Sequence, residues 1–120
     1  MSARNDSLIE RLSQSRELTI TVTGRKSGRM ISIRVWFVFD DGKLYLLPVQ
    51  GSDTQWYRNV LKTPSMRIKA GGTEAEVQAV PVNDATQVKS VVEKFREKYG
   101  AGDVKKYYSK FDVAVVAQVR

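Results

Sequence analysis

The chain contains no cysteine and no histidine. Without cysteine there is no disulfide framework and no thiolate nucleophile, and without either residue the usual zinc sites are missing. Ser-His-Asp and Cys-His pairs are excluded, as is histidine acid–base catalysis. No metal site is expected. An enzyme made of these residues must lean on a bound cofactor, or on carboxylates, Lys and Tyr. Long apolar runs are missing too, and none could span a membrane as a helix. The N-terminus mixes charges (Arg4, Asp6, Glu10, Arg11) and lacks the apolar stretch of a signal peptide, so the expected location is the cytoplasm. A further absence is local: from Leu18 to Phe39 there is no acidic residue.

What remains is enough for one domain, 1–120. At 42% hydrophobic and 28% charged, 120 residues can bury a core and do not read as disordered. The net charge is +7, and most of it falls between residues 18 and 73, where nine Lys and Arg face three acids, Asp40, Asp41 and Asp53. A field this one-sided favours an anionic partner: nucleic acid, a phosphorylated cofactor or an anionic membrane surface.

The hydrophobic pattern is mostly of period two. Leu18, Ile20 and Val22 alternate with threonines, and Ile31, Ile33, Val35, Phe37 and Phe39 form one face of a second strand, with Ser32, Arg34, Trp36 and Val38 on the other. Asp41-Gly42 is a two-residue hairpin turn leading to a third strand from Leu44 to Pro48. Gly71-Gly72 is a second such turn, which places Lys69 opposite Glu74 and Arg67 opposite Glu76, and Met66, Ile68, Ala75 and Val77 on the buried face. Phe111, Val113, Val115, Ala117 and Val119 mark a last strand. Ser7-Leu8-Ile9-Glu10 and Ser52 with Gln55 have capping-box spacing for helices ending near Ser15 and Lys62, with Trp56–Val60 and Tyr57–Leu61 as i,i+4 pairs. Asn83 or Asp84 caps a long helix whose stripe is Val88, Val91, Val92, Phe95 and Tyr99, ended by Gly100. One or two helical turns are expected between Asp103 and Ser109. One long helix cannot cover both faces of six apolar strands, so the sheet must curl. The expected fold is mainly β: a six-stranded antiparallel split β-barrel with peripheral helices.

Arg67 and Lys69 have acids across the hairpin, and Glu93 and Glu97 lie among lysines on a helix surface. The loop Thr23-Gly24-Arg25-Lys26-Ser27-Gly28-Arg29 differs. Its glycines permit a sharp turn with free amides, and its three cations have no acid nearby in sequence. Such a loop suits a phosphate, although a solvated hairpin end looks the same. Arg34, with the hydroxyls of Thr21, Thr23, Ser27 and Ser32, stands near it in sequence. Basic residues interleaved with Trp36 and Tyr57 also have the composition of a barrel that grips single-stranded nucleic acid.

Several stretches in order carry a more specific likeness: Thr23 to Gly28, Trp36-Phe37-Val38, Asp41 to Leu46, Gly51 to Asp53, Trp56-Tyr57-Arg58-Asn59 and Thr63-Pro64. Together, over about residues 18–80, they resemble the deazaflavin-dependent nitroreductase family, within the flavin-binding split β-barrel superfamily that also holds pyridoxamine 5'-phosphate oxidase. The resemblance implies an FMN-binding-like barrel and an oxidoreductase. A reduced deazaflavin (coenzyme F-420), or FMN in its place, would give a hydride to a quinone, a nitro compound or a similar small acceptor. Carried over by position, Arg25, Lys26, Ser27, Gly28 and Arg29 would hold the cofactor phosphate. Arg34 would replace a basic residue that the family carries where this chain has Ile31. Val49, Gln50 and Gly51 would border the ring largely through backbone, Trp56 and Asn59 would support that wall, and Tyr99 and Tyr107 would touch substrate. No side chain need be strictly catalytic, since the cofactor performs the hydride step. Split barrels of this kind often pair through their sheets, so a homodimer is expected.

Overall fold

The structure is a computed structural model and describes residues 3–119, with side chains from Leu8 onward. Six antiparallel strands close into a barrel: β1 (Glu17–Thr23), β2 (Met30–Asp40), β3 (Lys43–Leu46), β4 (Ser65–Ala70), β5 (Thr73–Val82) and β6 (Ala114–Gln118), in the spatial order β1-β2-β3-β6-β5-β4. Helices α1 (Ala3–Gln14), α2 (Gln55–Lys62), α3 (Ala85–Tyr99) and α4 (Ala101–Tyr107) lie around it. No helix among the described residues is long and apolar enough to cross a membrane.

The two hairpins follow their turn chemistry. Asp41 and Gly42 both have positive φ, 52° and 76°, as a tight turn matching strand twist requires. Across Gly71-Gly72 the register pairs Lys69 with Glu74 and Arg67 with Glu76, as the alternation predicts. The ion pair runs diagonally, Arg67 to Glu74 at 4.0 Å, while Glu76 accepts a hydrogen bond from Ser65. Asp84 caps α3, accepting from the Gln87 amide at 3.0 Å, and Gly100, with φ 95°, ends it.

Two apolar layers result. Leu18, Ile20, Val22, Phe37, Leu44, Ile68 and Val115 fill the barrel with Leu8 and Leu12 of α1 and Trp56, Tyr57 and Val60 of α2. The stripe Val88, Val91, Val92, Phe95 and Tyr99 of α3 packs with Leu47, Tyr108 and Ala114, against Trp36, Val38 and Tyr45 on the outer wall. β6 is therefore buried on its barrel face through Val115 and Ala117 and, at Ala114, on its outer face as well.

Four local expectations fail. Ser7 lies inside α1, which begins at Ala3, so it does not cap the helix. Ser52 does not cap α2 either. It sits in a 3-10 turn, bonded through its amide and hydroxyl to Asp112, and Thr54 is the N-cap. Leu61 is exposed, because only the Trp56–Tyr57–Val60 side of α2 meets the barrel. Phe111 lies before β6, which starts at Ala114, and is partly exposed.

Candidate functional site

β2 is the strand on which the barrel splits. Its first part, Met30–Trp36, pairs with β1, and its second part, Phe37–Asp40, pairs with β3 on the other side. Each half therefore has one edge without a strand partner. An unpaired backbone edge is met by side chains, by water or by a ligand. The edge at Phe37 is closed from α3. The Tyr99 hydroxyl accepts from the Phe37 amide at 3.0 Å and directs its proton to the carbonyls of Arg16 (2.6 Å) and Phe37 (2.8 Å), while Lys98 Nζ donates to the carbonyls of Phe37 (2.9 Å) and Ser15 (3.1 Å). Burial pushes the Tyr99 phenol up to about 12 and the Lys98 amine down to about 8, the Arg16 charge adding to the latter.

The other edge, Ile33–Trp36, opens into a groove of about 440 Å³. Leu47, Val49 and Thr54, from the stretch after β3, face it with Trp56 of α2 and Tyr107 and Tyr108 at the end of α4. Trp36 is held flat against Tyr99, with centroids 4.2 Å apart and planes at 7°, and Tyr107 stands edge-on to it at 5.5 Å. The Tyr108 ring is buried against Trp36, Phe95 and Phe111, while its hydroxyl forms no hydrogen bond to another described residue and reaches solvent at the groove. Burial raises its pKa, with a smaller contribution from Tyr99, so the phenol keeps its proton. The groove thus combines aromatic walls, a bare strand edge and one hydroxyl, that of Tyr108, with no partner in the protein.

The basic loop is joined to this groove by α2. The Arg25 amide and guanidinium donate to Asn59 Oδ1 at 3.1 and 2.8 Å, a second guanidinium nitrogen reaches Gln55 Oε1 at 2.7 Å, and Lys62 Nζ donates to the Arg25 carbonyl at 2.9 Å. Gln55, Asn59 and Lys62 lie along one side of α2, and Trp56, next to Gln55, faces the groove. Arg25 therefore fastens the loop rather than standing free, and its partners are neutral, so its charge is not cancelled. Ser27 Oγ accepts the Arg29 amide at 3.1 Å, and Gly28, φ 72°, makes the turn. Lys26 and Arg29 are exposed and form no ion pair among the described residues.

The remaining expected residues divide. Arg34, Val49, Trp56 and Tyr107 meet in the groove. Arg34 also pairs with Glu17 at 3.2 Å, so an acid shares the charge expected for a cofactor. Gln50 and Gly51 do not offer free backbone to a ring: the Gln50 amide donates to Thr54 Oγ1, and the Gly51 amide and carbonyl bond to Pro48 and Thr54. Gly51 lies against the chain before β6; a Cβ there would stand 2.1 Å from Asp112 Oδ1. Asn59 is the one buried polar residue among those described, apart from tyrosines, and it supports the loop instead of the groove wall. Tyr99 is a rivet behind Trp36, with its hydroxyl engaged. Tyr57 is buried in the barrel, so it has no face to stack on a base. Trp36 and Tyr108 were missed as groove residues; the only sequence signal for Tyr108 is its place beside Tyr107.

A family model described as "Uncharacterized protein conserved in bacteria (DUF2255)" matches residues 8–118. The chain belongs to this family. No curated protein matches the DUF2255 chain in sequence. Among solved structures it is similar to an F420-H2 dependent reductase (FDR-A), with 18% identity, a TM-score of 0.67, and 86% of this chain and 94% of that one covered. It is also similar to a putative pyridoxamine 5'-phosphate oxidase from Listeria innocua, with 15% identity, a TM-score of 0.69, and 95% and 90% covered. A heme storage protein from Vibrio cholerae shares the fold as well, at 15% identity, a TM-score of 0.70, and 94% and 87% covered. These likenesses establish for the DUF2255 chain the split-barrel fold that the sequence resemblance implied.

Proposed function

We propose that this protein is an oxidoreductase that holds a flavin-type cofactor, a deazaflavin or FMN, in the groove on the open edge of β2 and reduces a small acceptor beside it. The observation that carries this is the open Ile33–Trp36 edge facing Trp56, Tyr107 and Tyr108. The ring of such a cofactor is flat, and its polar rim of N–H and C=O groups can pair with a strand edge while its faces meet apolar walls. Lys26 and Arg29, braced by Arg25 on α2, supply cations for its phosphate, and Arg34 stands at the groove mouth. Likeness to structures with different ligands leaves heme as a rival, but a chain without His or Cys lacks the commonest axial ligands of heme iron.

When bound in reduced form, the cofactor supplies the hydride. The protein binds, orients and excludes water, with Trp36 and Trp56 as apolar walls. Tyr108, held protonated, donates a hydrogen bond to an acceptor oxygen, and Tyr107 borders the opening. The acceptor class, a quinone, a nitro compound or a similar activated oxidant, follows from hydride chemistry rather than from any specific pocket.

The test is titration of the purified protein with deazaflavin, FMN and heme, followed by fluorescence and absorbance. Micromolar affinity for a deazaflavin or FMN is expected, and affinity for neither overturns the reading. A homodimer is proposed as well, paired through the outer face of β1, β2 and β4, where Thr19, Thr21, Ser32 and Lys69 line a polar trough. Light scattering showing single-chain mass at micromolar concentration overturns that.

A further inference from the structure

The resemblance assigns the backbone of Val49, Gln50 and Gly51 to a cofactor ring, yet much of that backbone is spent elsewhere. The Val49 carbonyl accepts from the Ser109 amide at 2.9 Å and from the Ser109 hydroxyl at 3.3 Å. Gln50 and Lys110 form a parallel bridge one residue on. Two residues further, Asp112 takes Ser52 with both carboxylate oxygens: Oδ1 accepts the amide at 2.9 Å and Oδ2 the hydroxyl at 2.6 Å. Lys110 Nζ donates to Asp53 at 3.2 Å. Residues 49–53 and 109–112 thus run side by side, and Gly51 is where a Cβ would force them apart.

This ladder joins the two walls of the groove. Val49 and Thr54 lie on one wall, and Tyr107 and Tyr108, just before Ser109, on the other. Neither stretch belongs to one of the six strands, so sheet pairing does not set the distance between them. The Asp112 bonds do so most firmly, since an ionised acceptor with two donors outweighs a neutral amide–carbonyl bond. Asp112 is also rooted: Ala114 and Val115, which open β6, are fully buried. Ser52 passes the hold on to α2, because Arg58 donates to its carbonyl at 3.3 Å and to Asp53 at 3.0 Å. We infer that Asp112 is a positioning residue of the groove: through Ser52 it fixes the wall of Val49 and Thr54 against Tyr107 and Tyr108, and so sets the width open to the cofactor ring. The inference rests on the cofactor reading of the groove. Lys110, 3.7 Å from the carboxylate, offsets its charge, so the bonds to Ser52 carry the effect rather than the field.

The parent, Asp112→Ala, Asp112→Asn and Asp84→Ala are compared by amide hydrogen exchange and by titration with deazaflavin and FMN. In Asp112→Ala, exchange at Ser52 should speed up by about tenfold, and the Kd for the cofactor that the parent binds should rise by about tenfold. Asp112→Asn keeps an oxygen for the Ser52 amide and gains an NH2 for its hydroxyl, so both quantities should return to within about threefold of the parent. Asp84→Ala removes the cap of α3, away from the ladder, and should leave the Kd unchanged. Faster exchange with an unchanged Kd in Asp112→Ala, or unchanged exchange, overturns the inference. So does an Asp84→Ala variant that binds as weakly as Asp112→Ala, which reports general destabilisation, or an Asp112→Asn variant that does, which reports charge. A parent that binds neither cofactor overturns the reading of the groove and the inference with it, whereas the other failures arise in a parent that binds and strike the inference alone.

Discussion

Tyr99 and Tyr108 show how one residue type takes two roles nine positions apart. Both are buried, and burial raises both phenols, but only Tyr99 has its hydroxyl engaged, by the backbone of Phe37 and Arg16. Removing that hydroxyl leaves the buried Phe37 amide without a partner, while Lys98 still serves the Phe37 carbonyl, a loss of about 1–3 kcal/mol. Tyr99→Phe should therefore lower the unfolding free energy by about that much in urea titration. Tyr108→Phe removes a group with no protein partner and should change stability by less than about 0.5 kcal/mol. If the Tyr108 hydroxyl meets the acceptor, the same variant should lose about tenfold in kcat/KM, since a hydrogen bond is worth about 0.5–1.5 kcal/mol. A large stability loss in Tyr108→Phe, or unchanged turnover, removes the role proposed for it. The sequence sets Tyr99 on the apolar stripe of α3 and leaves Tyr108 off it, but does not say what either hydroxyl meets. Their difference depends on which one lands beside an open strand edge, and that is a property of strand pairing across the molecule.

Among elements, the hairpins and α3 were legible because their information is local. A period-two run closed by Asp-Gly or Gly-Gly sets its own register, and a 3.6-residue stripe ended by Gly sets its own length. The capping boxes misled for the opposite reason: Ser52 has the right spacing, but Asp112, sixty residues away, takes both its amide and its hydroxyl. The groove was read only through family resemblance, since no short window records that β2 changes partners between Trp36 and Phe37. Three variants test the elements that frame it. Gly51→Ala should destabilise by about 1–3 kcal/mol or more, since its φ of 55° is unfavourable for alanine and the new Cβ meets Asp112, without any direct cofactor contact. Lys26→Ala combined with Arg29→Ala should leave stability nearly unchanged and weaken cofactor binding by about 2–4 kcal/mol, as each charge-assisted hydrogen bond is worth about 1.5–3. Unchanged affinity in calorimetry would place the phosphate elsewhere. Arg25→Ala differs in kind, because it also releases the loop from Asn59 and Gln55, so it should affect both quantities.

For the whole molecule, the missing histidines leave no side chain of ordinary pKa to titrate between the carboxylates and the lysines. Stability should therefore be nearly flat through neutral pH, which exposes the effect of Lys98. Its amine is lowered from 10.5 to about 8, first by burial and then by Arg16. Below pH 8 it is protonated in both states and the burial penalty is fully present. Between about 8 and 10.5 the folded chain has released a proton that the unfolded chain still holds, so stability rises with pH. Tyr99, raised from 10.0 to about 12 by burial, works in the opposite sense: above pH 10 the unfolded chain loses a proton that the folded chain keeps, and stability falls. Tyr57 and Tyr108, also raised by burial, add to that fall, as does Lys94, raised chiefly by its hydrogen bond to Asp40. The pH profile of unfolding should thus climb from pH 8, crest near pH 10 and drop beyond it. Lys98→Met should remove the climb while keeping the alkaline drop, because the tyrosines are untouched. Denaturant midpoints at pH 7, 8, 9 and 10 decide it: a parent profile without the climb, or a climb that survives in Lys98→Met, shows that the amine closing the Phe37 edge is as well solvated as a surface lysine.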